Sequence, residues 1–282
     1  MGCSILSAQH EGYDIFTRKD RFMIPALDWI ENYGPAALAV LHGTSPYTID
    51  HFFAAPWAVI PLIPFAMMPY SIGRWCLFII GVCTFAYVAY RLGAKPVMLA
   101  FFILSYPVLT DLANGNIEWL AMLGFVLPPQ IGLIFVLIKP QVGIGITIYW
   151  LIEAYRQGGI QQVIKTFLPL TIVTLLSFAL YGFWPMHFLD TLAMARNIQA
   201  NHAIDYNASL WPFGLIIGLA LVVISVIKKQ KNLSIMAGPF LSPYALIATY
   251  GTSLLAWLDK PLFFFVVWLL TWSPLLWRFL MK

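Results

Sequence analysis

Apolar segments separated by short polar turns make up most of this chain from residue 52 to residue 280. A membrane-spanning helix needs roughly 20 consecutive, mostly apolar residues, and several of these segments approach that length. Of the 282 residues, 61% are hydrophobic and 10% are charged, whereas a soluble domain carries about 25% charged residues. The sequence therefore predicts an all-α fold, a polytopic transmembrane helical bundle.

We predict about 8 to 9 membrane segments, some of them short, broken or re-entrant. They cover residues 52–69, 72–92, 96–110, 114–128, 129–155, 163–184, 209–228, 233–258 and 261–280. The segments 96–110 and 114–128 are short for a bilayer crossing, and 129–155 is split by a proline. Segments of this kind are typical of helices that line a cavity, where freed backbone groups find polar partners.

The rest of the chain is expected at the membrane surface or in solvent. Residues 1–21 are a polar tail, and residues 22–282 form a single transmembrane domain. Within that domain, residues 22–51 predict interfacial amphipathic helices and a loop, because prolines break an alternating apolar and polar stretch. Basic residues cluster near 156–165, 228–231 and 278–282. Since such clusters favour the cytoplasmic side, residues 185–208 are predicted as an outer loop.

Charge and cysteine content exclude several classes of protein. The net charge of +4 arises from basic residues beside apolar segments, which is the pattern of membrane proteins rather than of nucleic-acid binding. Cys3, Cys76 and Cys83 form neither an even disulfide framework nor a metal-ligand pattern. We expect no cofactor and identify no metal site, while the sequence leaves a metal requirement open. The polar residues of the outer loop are interpreted as a solvated surface: His187, Asp190, Arg196, His202 and Asp205.

Charged residues inside apolar segments are the strongest functional signal, because an ionisable group at membrane depth costs about 3 kcal/mol or more. Asp111, Asn116 and Glu118 surround a glycine at the junction of two short segments. A polar turn at the membrane surface would explain them, and so would the mouth of a cavity. Glu118 also suits the first turn of the following helix, where a carboxylate interacts favourably with the helix dipole.

Lys139, Pro140 and Gln141 interrupt a second apolar run. The proline frees a backbone carbonyl four residues earlier and opens the helix. Lys139 could snorkel to the interface, form a structural ion pair with Glu118, or face an aqueous cavity where its ammonium holds a phosphate. In the third interpretation, Lys139, Gln141, Asn116, Glu118 and Asp111 line a cavity that binds a donor phosphate.

The order of these features resembles a known family, the GT-C type membrane glycosyltransferases that use polyprenyl-phosphate sugars, in the branch that includes bacterial mannosyltransferases. The resemblance covers roughly residues 28–258 and depends on several short motifs taken together. They are Asp28 with Tyr33; Gly43 with Pro46 and Tyr47; the stretch APWAVIPLIPFAMMP; Gly115, Asn116 and Glu118; Lys139 with Pro140; and Ser242 with Pro243.

The resemblance implies a multi-pass protein of the bacterial inner membrane that moves a sugar, such as mannose, from a polyprenyl phosphate to a lipid-linked or glycan acceptor. Asp28 would then be the catalytic base that removes the acceptor proton. A cation near the leaving phosphate would stabilise the charge that develops there. Membrane lipids and the donor lipid are the expected partners, and no nucleic acid is expected.

Two alternatives stay open. Family members carry a transmembrane helix before the aspartate, whereas residues 1–27 contain no apolar run of that length. This departure favours a non-catalytic membrane subunit that packs against partner proteins in a larger complex. The second alternative to a glycosyltransferase is a transporter or flippase for a lipid-linked sugar, which would use the same broken helices and charged residues.

Overall fold

The computed structural model describes residues 26–49, 52–187, 189 and 207–280, without the side chains of 277–280. All regular secondary structure in these ranges is helical, which confirms the predicted all-α class for this part of the chain. The predicted tail, residues 1–21, lies outside the described residues. So does most of the predicted outer loop, including Asp190, Arg196, His202 and Asp205.

The helices are numbered α1 to α13 in chain order. They are Gly34–Leu41, Ile63–Ala66, Tyr70–Arg91, Pro96–Ile103, Tyr106–Asn114, Glu118–Leu123, Pro129–Val136, Pro140–Tyr181, Gly214–Lys228, Lys231–Leu241, Gly251–Leu255, Pro261–Thr271 and Ser273–Leu280. A π-helical turn, Trp29–Tyr33, precedes α1, and a 3₁₀ helix, Pro56–Leu62, precedes α2. The predicted helices within 22–51 therefore correspond to the π-helical turn and α1.

Fewer helices can cross a membrane than the sequence predicted. Among the described residues, α3 and α8 are long and apolar enough for a crossing. A third crossing exists if α4 and α5, which meet at an angle of 53°, count as one bent span. The expectation of about eight or nine membrane segments, some of them short, broken or re-entrant, is corrected to two or three helices of spanning length within the described residues, and the other apolar segments form shorter helices.

Proline explains where two of the predicted segments break. A proline ring clashes with the carbonyl four residues earlier, so a helix tends to end there. Helix α4 ends at Ile103, four residues before Pro107, and α7 ends at Val136, four residues before Pro140. Lys139, directly before the proline, is extended with φ −128° and ψ 100°, as the residue before a proline prefers.

Side-chain and backbone donors from distant segments satisfy the carbonyls that these breaks expose. The indole of Trp57 donates to the carbonyl of Ile134 at 2.9 Å, and the backbone N–H of Ala55 donates to Ile138 at 3.1 Å. The indole of Trp268 donates to the carbonyl of Phe101 at 2.7 Å. Because unpaired backbone groups in an apolar interior cost several kcal/mol each, these contacts allow short helices to exist there.

Helix α8 contains a second break that the sequence analysis placed in a loop. Its backbone leaves the helical conformation at Gly158 and Gly159, and Gly159 has a φ of +60°. A positive φ of this kind favours glycine. The predicted segments 129–155 and 163–184 are thus divided at this glycine pair, while the first of them is also divided at Lys139.

Helices α8 and α10 pack closely through small residues. A Cβ added to Gly145 would lie 2.2 Å from the backbone oxygen of Ser234, and one added to Gly238 would lie 2.5 Å from the oxygen of Gln141. Such approaches are possible only without side chains, as at the interfaces of membrane helices. This contact holds the first half of α8, and with it Lys139, against the last third of the chain.

The outer face of the second half of α8 is apolar and exposed. Large side chains at intervals of four residues stand uncovered by the described residues: Ile160, Ile164, Leu168, Ile172, Leu176 and Leu180. An exposed apolar stripe of this size marks contact with a membrane or with another protein. The stripe agrees with membrane association of this helix.

We predict that Gly145→Leu destabilises the protein because the new side chain must displace the backbone of α10. Overpacking of this kind costs about 1–3 kcal/mol, which thermal unfolding of the purified protein in detergent measures. Leu151→Val, on the exposed side of the same helix, is the control and should leave the unfolding temperature nearly unchanged. Equal stability of the two variants would contradict the close helix contact.

Candidate functional site

Most of the predicted cavity residues meet in one buried cluster. Asp111 comes from the end of α5, Asn116 follows the turn after α5, and Glu118 begins α6. Lys139 joins them from the break between α7 and α8. Asp28 approaches from the residue before the π-helical turn. Residues far apart in sequence therefore meet at two places, the turn between α5 and α6 and the break between α7 and α8.

Gly115 makes the first junction possible. Its φ of +65° ends α5 in the left-handed conformation, which glycine adopts without a steric penalty. A Cβ at this position would lie 2.8 Å from the Cβ of Trp29 and 3.0 Å from that of Ala26. The missing side chain lets the segment that carries Asp28 lie directly on the turn that carries Asn116.

Asn116 is the hub of the cluster. Its amide nitrogen donates to Oδ2 of Asp28 at 2.8 Å. Its amide oxygen accepts from the backbone N–H of Ile117 at 2.7 Å, from the hydroxyl of Tyr33 at 3.3 Å, and from the Lys139 ammonium. One side chain thus connects a carboxylate on one side with a cation on the other.

Lys139 is enclosed in the interior. The residue is 2% exposed, and its Nζ lies 3.5 Å from Oε1 of Glu118, which is fully buried. The hydroxyl of Thr249 donates to the same carboxylate oxygen at 2.9 Å. The ion pair between Lys139 and Glu118, one of the three interpretations of this lysine, is therefore present, and the ammonium is directed to protein groups.

Asp111 supports the start of α6. It is 1% exposed, and its Oδ1 accepts from the backbone N–H of Glu118 at 3.3 Å. Among the described residues, Oδ2 of Asp111 and Oε2 of Glu118 have no hydrogen-bond partner. An unpaired buried polar atom costs about 1–3 kcal/mol. The polar atoms around Asn116 therefore have hydrogen-bond partners, whereas one carboxylate oxygen of Asp111 and one of Glu118 have none among the described residues.

Gln141 lies apart from the network. It is buried in the first turn of α8, and the hydrogen bonds assigned within the described residues do not connect its side chain to the cluster. Its backbone oxygen lies at the close contact with Gly238. The structure thus brings Asp111, Asn116, Glu118 and Lys139 together, and places Gln141 at the contact between α8 and α10.

Asp28 is the half-buried member of the cluster. Besides the bond from Asn116, its Oδ1 accepts from the amide of Asn32 at 3.4 Å. Asp28 lies outside the candidate spans. Burial raises the pKa of Asp28 to about 6, although the Lys139 charge and the Asn116 hydrogen bond act in the opposite direction. A carboxylate with a pKa near neutrality is suited to accept and release a proton.

A cavity of about 270 Å³ adjoins the cluster at Asn116. Trp29 and Trp119 form part of its wall, and Arg74, from the first turns of α3, contributes its charge. The sequence analysis missed Arg74 because it lies near the end of an apolar segment. The signal was available, since a charge inside a predicted span was the criterion that selected Lys139. Thr249 was also missed, as a lone threonine in an apolar segment gives no signal.

A metal site is not apparent in the described part of the chain. Within it, no group of three or more His, Cys, Asp or Glu side chains is arranged to hold a metal ion. His187 instead stacks on Tyr47, with ring centroids 4.7 Å apart. Comparison with family models, with curated proteins and with solved structures gives no match.

We predict that Lys139→Met strongly destabilises the protein, because the carboxylate of Glu118 would remain buried without its cation. Breaking a buried pair in this way costs about 3–5 kcal/mol. Thermal or denaturant unfolding of the purified protein measures the loss, and adding Glu118→Gln to the same variant should recover part of it.

The other ion pair of the described residues supplies the control. Arg156 and Glu153 are 3.2 Å apart, with 48% and 22% of their side chains exposed. Such a pair is worth about 0–1 kcal/mol, so Glu153→Gln should change stability little. If Lys139→Met were equally harmless, the buried pair would not organise the cluster.

Proposed function

We propose that this protein is a membrane-embedded glycosyltransferase that moves a sugar from a polyprenyl-phosphate donor to an acceptor hydroxyl. The observation that carries the proposal is the double role of Asn116. Its amide nitrogen holds Asp28, and the same residue lines the 270 Å³ cavity. A carboxylate with a pKa near 6 is therefore held by a residue that lines the cavity.

In the proposed reaction, the Asp28 carboxylate removes the proton of the acceptor hydroxyl. The acceptor oxygen forms a bond to the anomeric carbon of the sugar as the bond from that carbon to the phosphate oxygen breaks. The electron pair of the broken bond leaves with the phosphate, so the polyprenyl phosphate is released and Asp28 holds the proton. General base catalysis of this kind contributes about 10²–10⁴ in rate.

The Lys139–Glu118 pair has a positioning role in this proposal. The Lys139 ammonium and the hydroxyl of Tyr33 both donate to the amide oxygen of Asn116. These contacts direct the amide nitrogen of Asn116 towards Asp28. A group held by several partners keeps its geometry without reorganisation during the reaction. Asp28 is thus aimed by a buried polar network that does not itself touch substrate.

The proposal places the protein as a multi-pass component of the bacterial inner membrane. Arg91 and Lys95 lie at the C-terminal end of α3, and basic residues favour the cytoplasmic side. The opposite end of α3 lies beside Trp29, since both Arg74 and Trp29 line the cavity. Asp28 then faces the outer side, where polyprenyl-phosphate sugars act as donors for such enzymes.

A non-catalytic membrane subunit is the second candidate. The observation that favours it is the closure of Lys139 by Glu118 and Asn116, since a charge that is fully paired inside the protein serves stability as readily as catalysis. The exposed apolar stripe of α8 would then contact a partner protein as well as lipid. Activity of the purified single chain separates the two candidates.

We predict that Asp28→Asn lowers transfer of radiolabelled sugar from polyprenyl phosphate by about 10²- to 10⁴-fold. The amide keeps the shape of the side chain but does not accept the acceptor proton. Glu31→Gln, an exposed carboxylate one turn away, is the control and should retain the wild-type rate. Unchanged transfer by Asp28→Asn would remove Asp28 from the mechanism and favour the subunit candidate.

We also predict that the transfer rate rises with pH to a plateau, with its midpoint near pH 6, the pKa of Asp28. The base acts only when deprotonated, so each pH unit well below the midpoint lowers the active fraction about tenfold. Initial rates between pH 4.5 and pH 8 measure the profile, with all buffers at about 0.15 M ionic strength. A rate independent of pH across this range would argue against a titrating carboxylate as the base.

A further inference from the structure

The cavity beside Asn116 contains a cation that the proposed mechanism has not used. We infer that this cavity binds the phosphate group of a polyprenyl phosphate, and that Arg74 is its anion-binding residue. The inference deepens the proposed function, because it assigns the donor phosphate to Arg74 at the cavity instead of to Lys139. It rests on the charge of the cavity, on its walls and on Asn116, which lines the cavity and also holds Asp28.

Close approaches at three glycines hold together the segments that surround the cavity. A Cβ on Gly73 would lie 2.3 Å from the backbone oxygen of Phe65, and one on Gly81 would lie 2.8 Å from Leu112 and 3.2 Å from Trp119. Gly115 brings Trp29 equally close from the other side. Helix α3 is therefore held against the Asn116 turn, with Arg74 at the cavity between them.

Arg74 is available to an anion in a way that Lys139 is not. The ion pairs of the described residues are Lys139–Glu118 and Arg156–Glu153, and Arg74 belongs to neither. Its guanidinium lies over the ring of Trp75, 5.2 Å from the ring centroid. A planar guanidinium has five N–H donors and matches the oxygens of a phosphate. The Lys139 ammonium, in contrast, is already directed to Asn116 and Glu118.

The cavity suits a head group with a lipid tail outside it. Its volume of about 270 Å³ is close to the lower end of the range of small-molecule pockets, about 300–1,000 Å³, which suits a head group better than a long hydrocarbon. Ile72, Trp75 and Ile79 are exposed apolar residues on α3 around Arg74. A hydrocarbon chain attached to the bound phosphate could therefore lie along this apolar surface of α3. A free phosphate has no such chain and would not use this surface.

Tryptophan rings give the cavity a second preference. Trp29 and Trp119 are buried and line the cavity. Aromatic rings present an apolar face and a polar edge, so they complement the apolar face of a sugar ring while Asn116 offers its amide. A sugar attached to a phosphate at Arg74 would then reach Asn116, which lines the same cavity and holds Asp28.

The test is equilibrium binding of a fluorescent polyprenyl monophosphate to the full-length protein in phosphatidylcholine nanodiscs. We expect Arg74→Gln to weaken binding about 10- to 100-fold, the range for loss of a charged hydrogen-bond donor. Arg74→Lys should keep part of the affinity, because the charge stays while the fork of donors is lost. Arg91→Gln, a basic residue at the other end of the same helix, should bind as the wild type does.

Competition identifies the source of the phosphate. Unlabelled polyprenyl phosphate should displace the probe, whereas inorganic phosphate, polyprenol and phosphatidylglycerol at the same concentration should not. Displacement by phosphatidylglycerol as strong as that by polyprenyl phosphate would overturn the assignment, because the cavity would then be an ordinary lipid head-group site. If inorganic phosphate displaced the probe as well as polyprenyl phosphate does, the polyprenyl chain would have no role in binding.

Further variants separate this inference from the proposed function. Asp28→Asn should bind the probe normally, since Asp28 is assigned to the acceptor. If Arg74→Gln loses binding while the wild type shows no sugar transfer, the lipid-phosphate site stands and the transferase proposal fails. If Arg74→Gln binds normally and the double variant Lys139→Met/Glu118→Gln does not, the phosphate site belongs to Lys139 and the inference is wrong.

Discussion

The contact of a buried lysine with Asn116 and Glu118 is the constraint around which this structure is organised. The Lys139 ammonium lies where water is excluded, so its desolvation must be offset by neighbouring carboxylate and amide oxygens. Those oxygens come from the turn after α5 and from α6, and Thr249 adds a contact from the last third of the chain. Because these partners come from different segments of the chain, the lysine fixes their relative positions.

The short helices and the polar cluster have a common cause. Pro140 ends α7 and leaves Lys139 in an extended conformation, which directs the lysine side chain away from the helix axis. The freed carbonyls of that break accept from Trp57 and from the backbone of Ala55. The break therefore makes two sets of contacts possible, those of the freed carbonyls with Trp57 and Ala55 and those of the Lys139 ammonium with Asn116 and Glu118.

Sequence reasoning predicted the members of the cluster better than the shape of the helices. Lys139, Glu118 and Asp111 were identifiable because charges in apolar segments require partners. Asp28 was indicated by resemblance alone, since a carboxylate in a polar stretch is unremarkable. The number of spanning helices was wrong because hydropathy measures apolar length, whereas proline and glycine decide where a helix ends. Arg74 was missed because it lies near the end of a predicted segment, although a charge within such a segment is the same signal that identified Lys139.

The division of charges suggests how a chain with so few polar residues can provide both stability and chemistry. Lys139 and Glu118 are fully enclosed, and their charges act on each other and on Asn116. Asp28 is half-buried, and Arg74 lines the cavity without a carboxylate partner among the described residues.

Asn116 contacts both groups of residues, since it touches Lys139 and Asp28 and also lines the cavity. Breaking the enclosed pair is therefore costly, whereas the proposed function assigns anion binding and proton transfer to the groups at the edge. This arrangement requires Asn116 to hold both sides at once, so the geometry of a single amide links the folding of the interior to the reactivity of the cavity.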